Sequence, residues 1–517
     1  MCLATSGPGG THLITGLYDA KLDQAPVLAI TGQQYHDLIE TLTQQDVDLT
    51  RVFNDVTVFN AQVTDAAHME NLAGLACRFA LSQRGVSHLS IANDVQEQPL
   101  HSAKRSKRNQ PHHQPNRLFE GRRLPRQDDI ERAADILNSA SRVMILAGRG
   151  ALSARAELEK TADLLAAPVA KALLGKAVLP DRHPLTTGGI GLLGTLPSQT
   201  AMETCDALLI VGSTFPYIEY YPKPGQARGV QIDHEASRIG LRYPVEAGLV
   251  GDTAETLAAL NACLHSKADR SFLSEAQHGM QRWRDLMEQW ATKTSQPLKP
   301  QTVVRAFGRR LPAHAVLATD SGQNTELTAR HIDLDDSHAF GVSGTLASMA
   351  CGLPYAIAAG IAFPDRPIFA VVGDGGFAMQ LGEFSTAVRH RLPLKVLVLR
   401  NNMLNQIAWE QMMFLGNPQF GCELQPIDFA KAAEAMGGRG FTIQTADAIE
   451  TVLDAALSCE GPVVIDAIVD AYEPLMPPKM PPDYAKNFKK ALPATPHHEE
   501  IEDRVAQEPN KTLMTAE

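Results

Sequence analysis

Apolar residues in this chain fall in short unbroken runs, separated by glycine-rich turns and by stretches with helical spacing. Residues 368–372 form one such run and 394–399 another, and 381–390 between them repeat their apolar positions at helical spacing. Strand, turn, helix, strand predicts a parallel βαβ unit. The alternation recurs along the chain. Residues 2–5 and 25–32 read as strands about a helix over 11–20, and 86–91 as the strand that closes that sheet. Residues 128–139 and 154–165 read as helices, and 142–147, 207–212 and 229–233 as strands. Further strands are expected at 316–319 and 462–470. Residues 270–293 read as a charged amphipathic helix, with Trp283 and Trp290 packing on one face. Strands that are apolar throughout belong to sheets covered by helices on both sides. The predicted fold class is therefore α/β, with three doubly wound domains and mainly parallel sheets.

Length agrees, since 517 residues at about 150 per domain gives three or so. The expected boundaries are 1–100, 127–295 and 296–475, with a linker at 101–126 and a polar tail over 476–517, disordered over 497–517. The linker carries Lys104, Arg105, Lys107, Arg108, Arg117, Arg122, Arg123 and Arg126. No aromatic platform accompanies them, so a solvated connection is expected rather than a nucleic-acid patch. The net charge of −11 also argues against general nucleic-acid binding. The seven cysteines show no metal or disulfide spacing, which fits a reducing cytoplasm, and Cys205 reads as core. No apolar run is long enough for a transmembrane helix.

The candidate chemistry lies where the two central strands end. Gly373-Asp374-Gly375-Gly376 follows the first, and Asn401-Asn402 follows the second, with Asn401 standing 27 residues after Asp374. In open parallel sheets the loops at the carboxyl ends of the strands hold ligands. Mg²⁺ takes about six oxygen ligands, only a few of them from protein and the rest from phosphate and water. Asp374 offers a carboxylate, Asn401 an amide oxygen and Met403 a backbone carbonyl. Gly375 and Gly376 would leave backbone N–H groups bare for a phosphate at the next helix. An isolated Asp-Gly is an ordinary tight turn; the spaced pair reads as a metal–diphosphate site. In the middle domain Gly148-Arg149-Gly150 follows a strand and could admit a dinucleotide pyrophosphate, with Asp233 at a strand end placed for a ribose. A lone glycine turn is also commonly structural.

These motifs, together with 5–13 (Thr-Ser-Gly-Pro-Gly-Gly-Thr-His-Leu), 16–20 (Gly-Leu-Tyr-Asp-Ala), 188–195, 219–225 and 238–244, resemble the thiamine diphosphate (ThDP)-dependent family that includes pyruvate oxidases and acetolactate synthases. The likeness runs to about residue 478 and is closest to pyruvate oxidase-like members. It implies ThDP and Mg²⁺ held by Gly373, Asp374, Gly375, Gly376, Asn401 and Met403. Met349, with Ala347 in its loop, would wedge the cofactor into a bent shape, a proximity effect. Ile407 and Glu410 would lie over the reacting ring, Glu410 handling protons. His12 and Gln45 match residues beside the cofactor, although Gln44 replaces a neighbouring aromatic of some oxidases. Asn405 stands where relatives usually have Gly, and Asn tolerates the left-handed turn expected there. FAD is implied in the middle domain, with Arg149, Asp233, Arg238 and Asp252 as candidate contacts beside Gly148. The activating glutamate of the family precedes the Ser-Gly-Pro-Gly turn and would fall before residue 1, so a truncated first domain with uncertain activity is expected. The implied function is decarboxylation of a 2-oxo acid such as pyruvate, oxidative, with electrons passing to FAD and then to oxygen or a quinone. The alternatives are an acetolactate synthase-like carboligase and a non-catalytic ThDP-binding homologue or impaired fragment. A homodimer or homotetramer is implied.

Overall fold

The structure, a computed structural model, describes residues 1–99, 105–110, 118 and 121–507. It divides into two compact units, one of residues 1–121 with 343–348, the other of 122–342 with 349–517.

The first unit holds a four-stranded parallel sheet of β1 (Cys2–Ala4), β2 (Val27–Gln33), β3 (Thr57–Val63) and β4 (Val86–Ala92), in the order β1-β2-β4-β3. The expected closing strand is instead internal, paired on both sides, and the edge strand β3 was not anticipated. The same holds for the long helix Ala66–Ser82, whose Leu72, Ala76 and Ala80 are buried. Apolar residues of β2 alternate between two cores, Ala29 on one side and Leu28 and Ile30 on the other, as the two-residue period of a strand requires. Ser343 anchors its segment to this unit by donating to Asp19 Oδ1 at 2.6 Å.

The second unit contains two six-stranded sheets, each wholly parallel. The middle sheet is β5 (Val143–Ala147), β6 (Val169–Lys171), β7 (Thr186–Gly189), β8 (Ala207–Val211), β9 (Arg228–Asp233) and β10 (Ala247–Val250), in the order β10-β9-β8-β5-β6-β7. The last sheet is β11 (Val316–Thr319), β12 (Ala339–Gly341), β13 (Ile368–Gly373), β14 (Leu394–Arg400), β15 (Arg439–Ile443) and β16 (Val463–Ile468), in the order β12-β11-β13-β14-β16-β15. Strand residues again divide by parity. Val143, Ile145 and Ala147 enter one core, and Met144 and Leu146 the opposite one. Phe369 and Val371 face one side of the last sheet, and Ile368, Ala370 and Val372 the other. Both faces are covered by helices, which is why these strands are apolar throughout. The chain turns back at β5/β8 in the middle sheet and at β11/β13 in the last, and at such switch points a crevice opens beyond the carboxyl ends of the strands.

Two expectations change here. Residues 498–506, expected to be disordered, are helical. Helices Pro482–Ala491 and His498–Ala506 bury Phe488, Ala491, Ile501 and Val505 against Trp409 and Met412, with Trp409 stacked on Phe488. The sparse apolar positions of this tail lie on one face of each helix, enough to dock it; residues 508–517 lie outside the described residues. The basic segment is pinned where it is described. Arg105 pairs with Glu70 at 2.6 Å, Arg122 pairs with Glu255, and Arg123 accepts the Asp252 N–H through its carbonyl. Lys104 and Arg117 lie outside the described residues. Cys205 is core as expected, its thiol pushed up to about 12 by burial.

Candidate active site

β13 and β14 are paired in parallel from Ile368/Leu394 to Gly373/Leu399. Their ends therefore bring Asp374 and Asn401 side by side, as the spacing implied. Asp374 opens the helix Asp374–Met379 and is 5 % exposed. Its Oδ1 accepts from the Gly375 N–H at 2.9 Å and its Oδ2 from the Asn402 N–H at 2.5 Å. Burial raises its pKa to about 6 in spite of these bonds. The N–H of Gly375 is thus engaged by the Asp374 side chain and is not bare, as the sequence had implied. A nearby cation would offset the desolvation of this carboxylate.

Asn401 Oδ1 accepts from the Met403 N–H at 3.0 Å. Met403 forms an antiparallel bridge with Glu423, flanked by Leu404 N–H to Cys422 O at 2.7 Å and Leu424 N–H to Asn402 O at 2.8 Å. In such a non-hydrogen-bonded pair a residue directs its own N–H and C=O away from the partner chain. The Met403 carbonyl is therefore turned to the side where its N–H meets Asn401. One carboxylate, one amide and one carbonyl make a hard-oxygen donor set that suits Mg²⁺. Among the described residues no group of three His, Cys, Asp or Glu side chains is placed to hold a metal.

The glycines allow close approach. A Cβ on Gly376 would lie 2.1 Å from Asp320 Oδ2. A Cβ on Gly375 would lie 3.4 Å from Met349 Cε, so Met349 lies beside the glycine turn that follows β13. Ala347 and Ala350 on either side of Met349 have φ of 55° and 71°, the left-handed region that alanine rarely occupies and that collects at functional sites. Sequence reasoning passed over Asp320. It stands at the end of β11, across the switch point from Asp374, and is 1 % exposed. Its Oδ1 accepts from Ser321 and Cys351 N–H groups, and burial raises its pKa. Its place after a strand, in 320–323 (Asp-Ser-Gly-Gln), was the available signal.

Helix Asn405–Met413 presents Ile407, 45 % exposed, with Glu410 one turn later. Gln406 Nε2 donates to Glu410 Oε1 at 2.9 Å. Glu410 also contributes to raising the pKa values of Tyr217 and Tyr484, in each case after burial, so an acidic and phenolic group of side chains gathers here. Asn405 does not take the left-handed turn expected of it; Asn402 does, with φ 57°. Asn405 is buried, and its Nδ2 donates to Gln323 Oε1 at 2.7 Å and to the Glu473 carbonyl at 3.0 Å.

In the first unit His12 ends the helix Pro8–His12 and is exposed. Gln45, φ 60°, lies against the glycine turn: Ser6 Oγ donates to its Oε1 at 3.2 Å, and a Cβ on Gly7 would be 2.9 Å from its Cβ.

The middle-domain glycines take the structural reading. Gly148 N–H donates to Val211 O and Gly150 N–H to Gly212 O, at 2.9 and 3.0 Å. A Cβ on Gly148 would be 2.4 Å from Gly212 O. These glycines let the two loops at the β5/β8 switch point touch, and their N–H groups are already bonded. Half-buried Arg149 and Arg238, buried Asp233 and exposed Asp252 follow the carboxyl ends of β5, β9 and β10. Asp233 Oδ1 accepts from the Glu235 N–H at 3.0 Å and lies 3.3 Å from His234 Nδ1.

Comparison with known proteins gives the same picture. Residues 320–467 match the family model for the C-terminal TPP binding domain of thiamine pyrophosphate enzymes, 130–260 the central domain and 1–52 the N-terminal TPP binding domain. The chain is 39 % identical over 492 residues to the putative thiamine pyrophosphate-containing protein YdaP of Bacillus subtilis, covering 95 % of this chain and 84 % of that one. It is 28 % identical to a pyruvate oxidase of Lactiplantibacillus plantarum, covering 97 % and 83 %. It is 30 % identical to a probable acetolactate synthase large subunit of Methanocaldococcus jannaschii, covering 92 % and 82 %.

Proposed function

The chain belongs to the thiamine pyrophosphate enzyme family, and from that premise we propose that it is a Mg²⁺-dependent 2-oxo acid decarboxylase of the oxidative, pyruvate oxidase type. The observation that carries the reading is the desolvated Asp374 carboxylate beside Asn401 and Met403, a hard-oxygen set at a switch point. These three would hold Mg²⁺ and, through it, the diphosphate of the coenzyme. ThDP when bound supplies the reactive carbon that adds to a keto carbonyl and stores the electron pair left by CO₂. The protein's own part is positioning and proton handling. Met349 would wedge the bound coenzyme into its bent shape, Ile407 would supply an apolar cover, and Glu410 would exchange protons with the substrate. For His12 and Gln45 we carry over the cofactor-related role that the family resemblance implies.

Oxidation rather than carboligation is supported by the pyruvate oxidase-like pattern of 188–195, 219–225 and 238–244. FAD is proposed across the strand ends that carry Arg149, Asp233, Arg238 and Asp252, as acceptor of the electrons. Among the described residues no helix is long and apolar enough to cross a membrane; a cytoplasmic homodimer or homotetramer is proposed. Purified protein should be yellow, and its flavin absorption should bleach when pyruvate is added without oxygen. A colourless protein that condenses two pyruvates would replace this reading with the acetolactate synthase-like one.

A pH dependence follows from Asp374. Mg²⁺ needs the carboxylate, and its pKa of about 6 puts a proton in competition below that pH. Apparent Mg²⁺–ThDP affinity should fall roughly tenfold per unit as pH drops below 6. In the metal-free protein the sign is opposite for stability. A folded pKa above the ordinary 3.8 stabilises the fold at low pH, and that contribution is lost as pH rises from about 4 through 6. Titration calorimetry at several pH values, beside melting curves with and without Mg²⁺–ThDP, measures both. Affinity that is flat between pH 5 and 7 would contradict the assignment.

A further inference from the structure

A cavity of about 180 Å³ lies in the second unit between the helices Leu196–Thr204 and Ser271–Thr292, away from the strand ends described above. Its walls are Leu196, Pro197, Ala201, Phe272, Ala276 and Trp283, and its rim is formed by exposed Thr200, Thr204, Glu275 and Arg282. A void of this size and lining takes a single ring or a short acyl chain; an apolar cavity of roughly 150 Å³ binds benzene.

Charge at the cavity points to the other half of the ligand. Two guanidinium groups, Arg142 and Arg282, line it against one carboxylate, Glu275. Arg142 lies over the Phe272 ring at 4.6 Å, and its Nη2 donates to Glu275 Oε2 at 3.1 Å and Thr204 Oγ1 at 3.2 Å. With two guanidinium groups facing a single carboxylate, an anionic acceptor at the cavity is drawn by the remaining positive charge. The ring of Trp283 offers an apolar wall, and on it Arg330 rests its guanidinium at 5.7 Å, which holds the indole in place.

We propose that this cavity is a binding site for a small amphipathic carboxylate, an aromatic or short-chain acid whose apolar body lies against Trp283 and Phe272 and whose carboxylate meets Arg142 and Arg282. The site shares no residue with the Asp374–Asn401 centre.

Benzoate is the probe, titrated into full-length protein loaded with Mg²⁺ and ThDP, with heat and tryptophan fluorescence as readouts. For nine heavy atoms a Kd of about 0.1 mM is expected. Benzamide, which lacks the charge, should bind about tenfold more weakly, and Arg142→Gln should remove that preference. Thr200→Phe, a change at an exposed rim position that leaves the fold alone, should block entry and weaken benzoate at least about tenfold; Arg282→Gln, equally exposed, should weaken benzoate but not benzamide. The proposal is overturned by no binding at about 10 mM, by equal affinity for acid and amide, or by binding that Thr200→Phe leaves intact.

Discussion

Asp374→Ala is expected to lower affinity for ThDP in the presence of Mg²⁺ by at least about 100-fold, since groups that merely support a metal ligand already account for 10–100-fold. The folded chain itself should not suffer. The carboxylate is desolvated and its pKa raised, so removing it takes away an unfavourable buried charge, which offsets the loss of the acceptor for the Gly375 and Asn402 N–H groups. That combination separates a ligand from a structural residue. Melting without cofactor should be unchanged or slightly higher, while the upward shift that Mg²⁺–ThDP gives the unaltered protein should disappear. Asn401→Ala should be milder, because the chain keeps Asp374 and the Met403 carbonyl and loses one amide oxygen together with its bond to the Met403 N–H. Calorimetric titration of ThDP at fixed Mg²⁺ reads both variants. Uptake by Asp374→Ala as tight as in the unaltered chain would refute the metal assignment.

What the sequence disclosed follows from how local each signal is. β13 and β14 were legible because both are apolar throughout and end in Gly-Asp-Gly and Asn-Asn, so run and turn agree. Strand β3, Thr57–Val63, was missed. It mixes Thr, Asn and Gln with its apolar residues, and only pairing with β4 commits it to the sheet. The short strands β6, β7, β10 and β12 have three or four residues each, too few to show a period. At the site, Asp374 and Asn401 were read correctly as neighbours because parallel pairing of consecutive strands fixes that. Asp320 was not, because its relation to Gly376 depends on the chain order reversing at β11/β13, which no local pattern shows. The glycines of 148–150 looked alike in sequence whether they faced a pyrophosphate or another loop. The contact with Gly212 decides for the loop. Asn405 was judged by its backbone tolerance, whereas its side chain gives it its place.

Asn405 belongs to a buried polar network whose disruption should have the largest effect on stability. Lys299, 1 % exposed, donates to Glu473 Oε2 at 2.5 Å, and Gln301 Nε2 donates to Glu473 Oε1 at 2.5 Å. Gln323 and Asn405 both donate to the Glu473 carbonyl, at 3.0 Å each. Glu473 thereby ties the start of helix Pro300–Gly308, the loop after β11 and the first turn of the helix that carries Ile407 and Glu410. Breaking a buried ion pair by removing one partner leaves the other charge uncompensated, a loss of about 3–5 kcal/mol. Glu473→Ala should therefore lower the melting temperature by about 10 °C, given a few degrees per kcal/mol for domains of this size. Lys299→Met alone should do much the same, since it strands the carboxylate. The pair Lys299→Met with Glu473→Leu should recover most of the loss, because both charges leave the interior together and similar apolar volume replaces them. Calorimetric melting of the three variants gives the coupling directly. Additive losses in the double variant would mean that the two side chains act independently, and the network would then not be what fixes the Ile407–Glu410 helix against the strand ends.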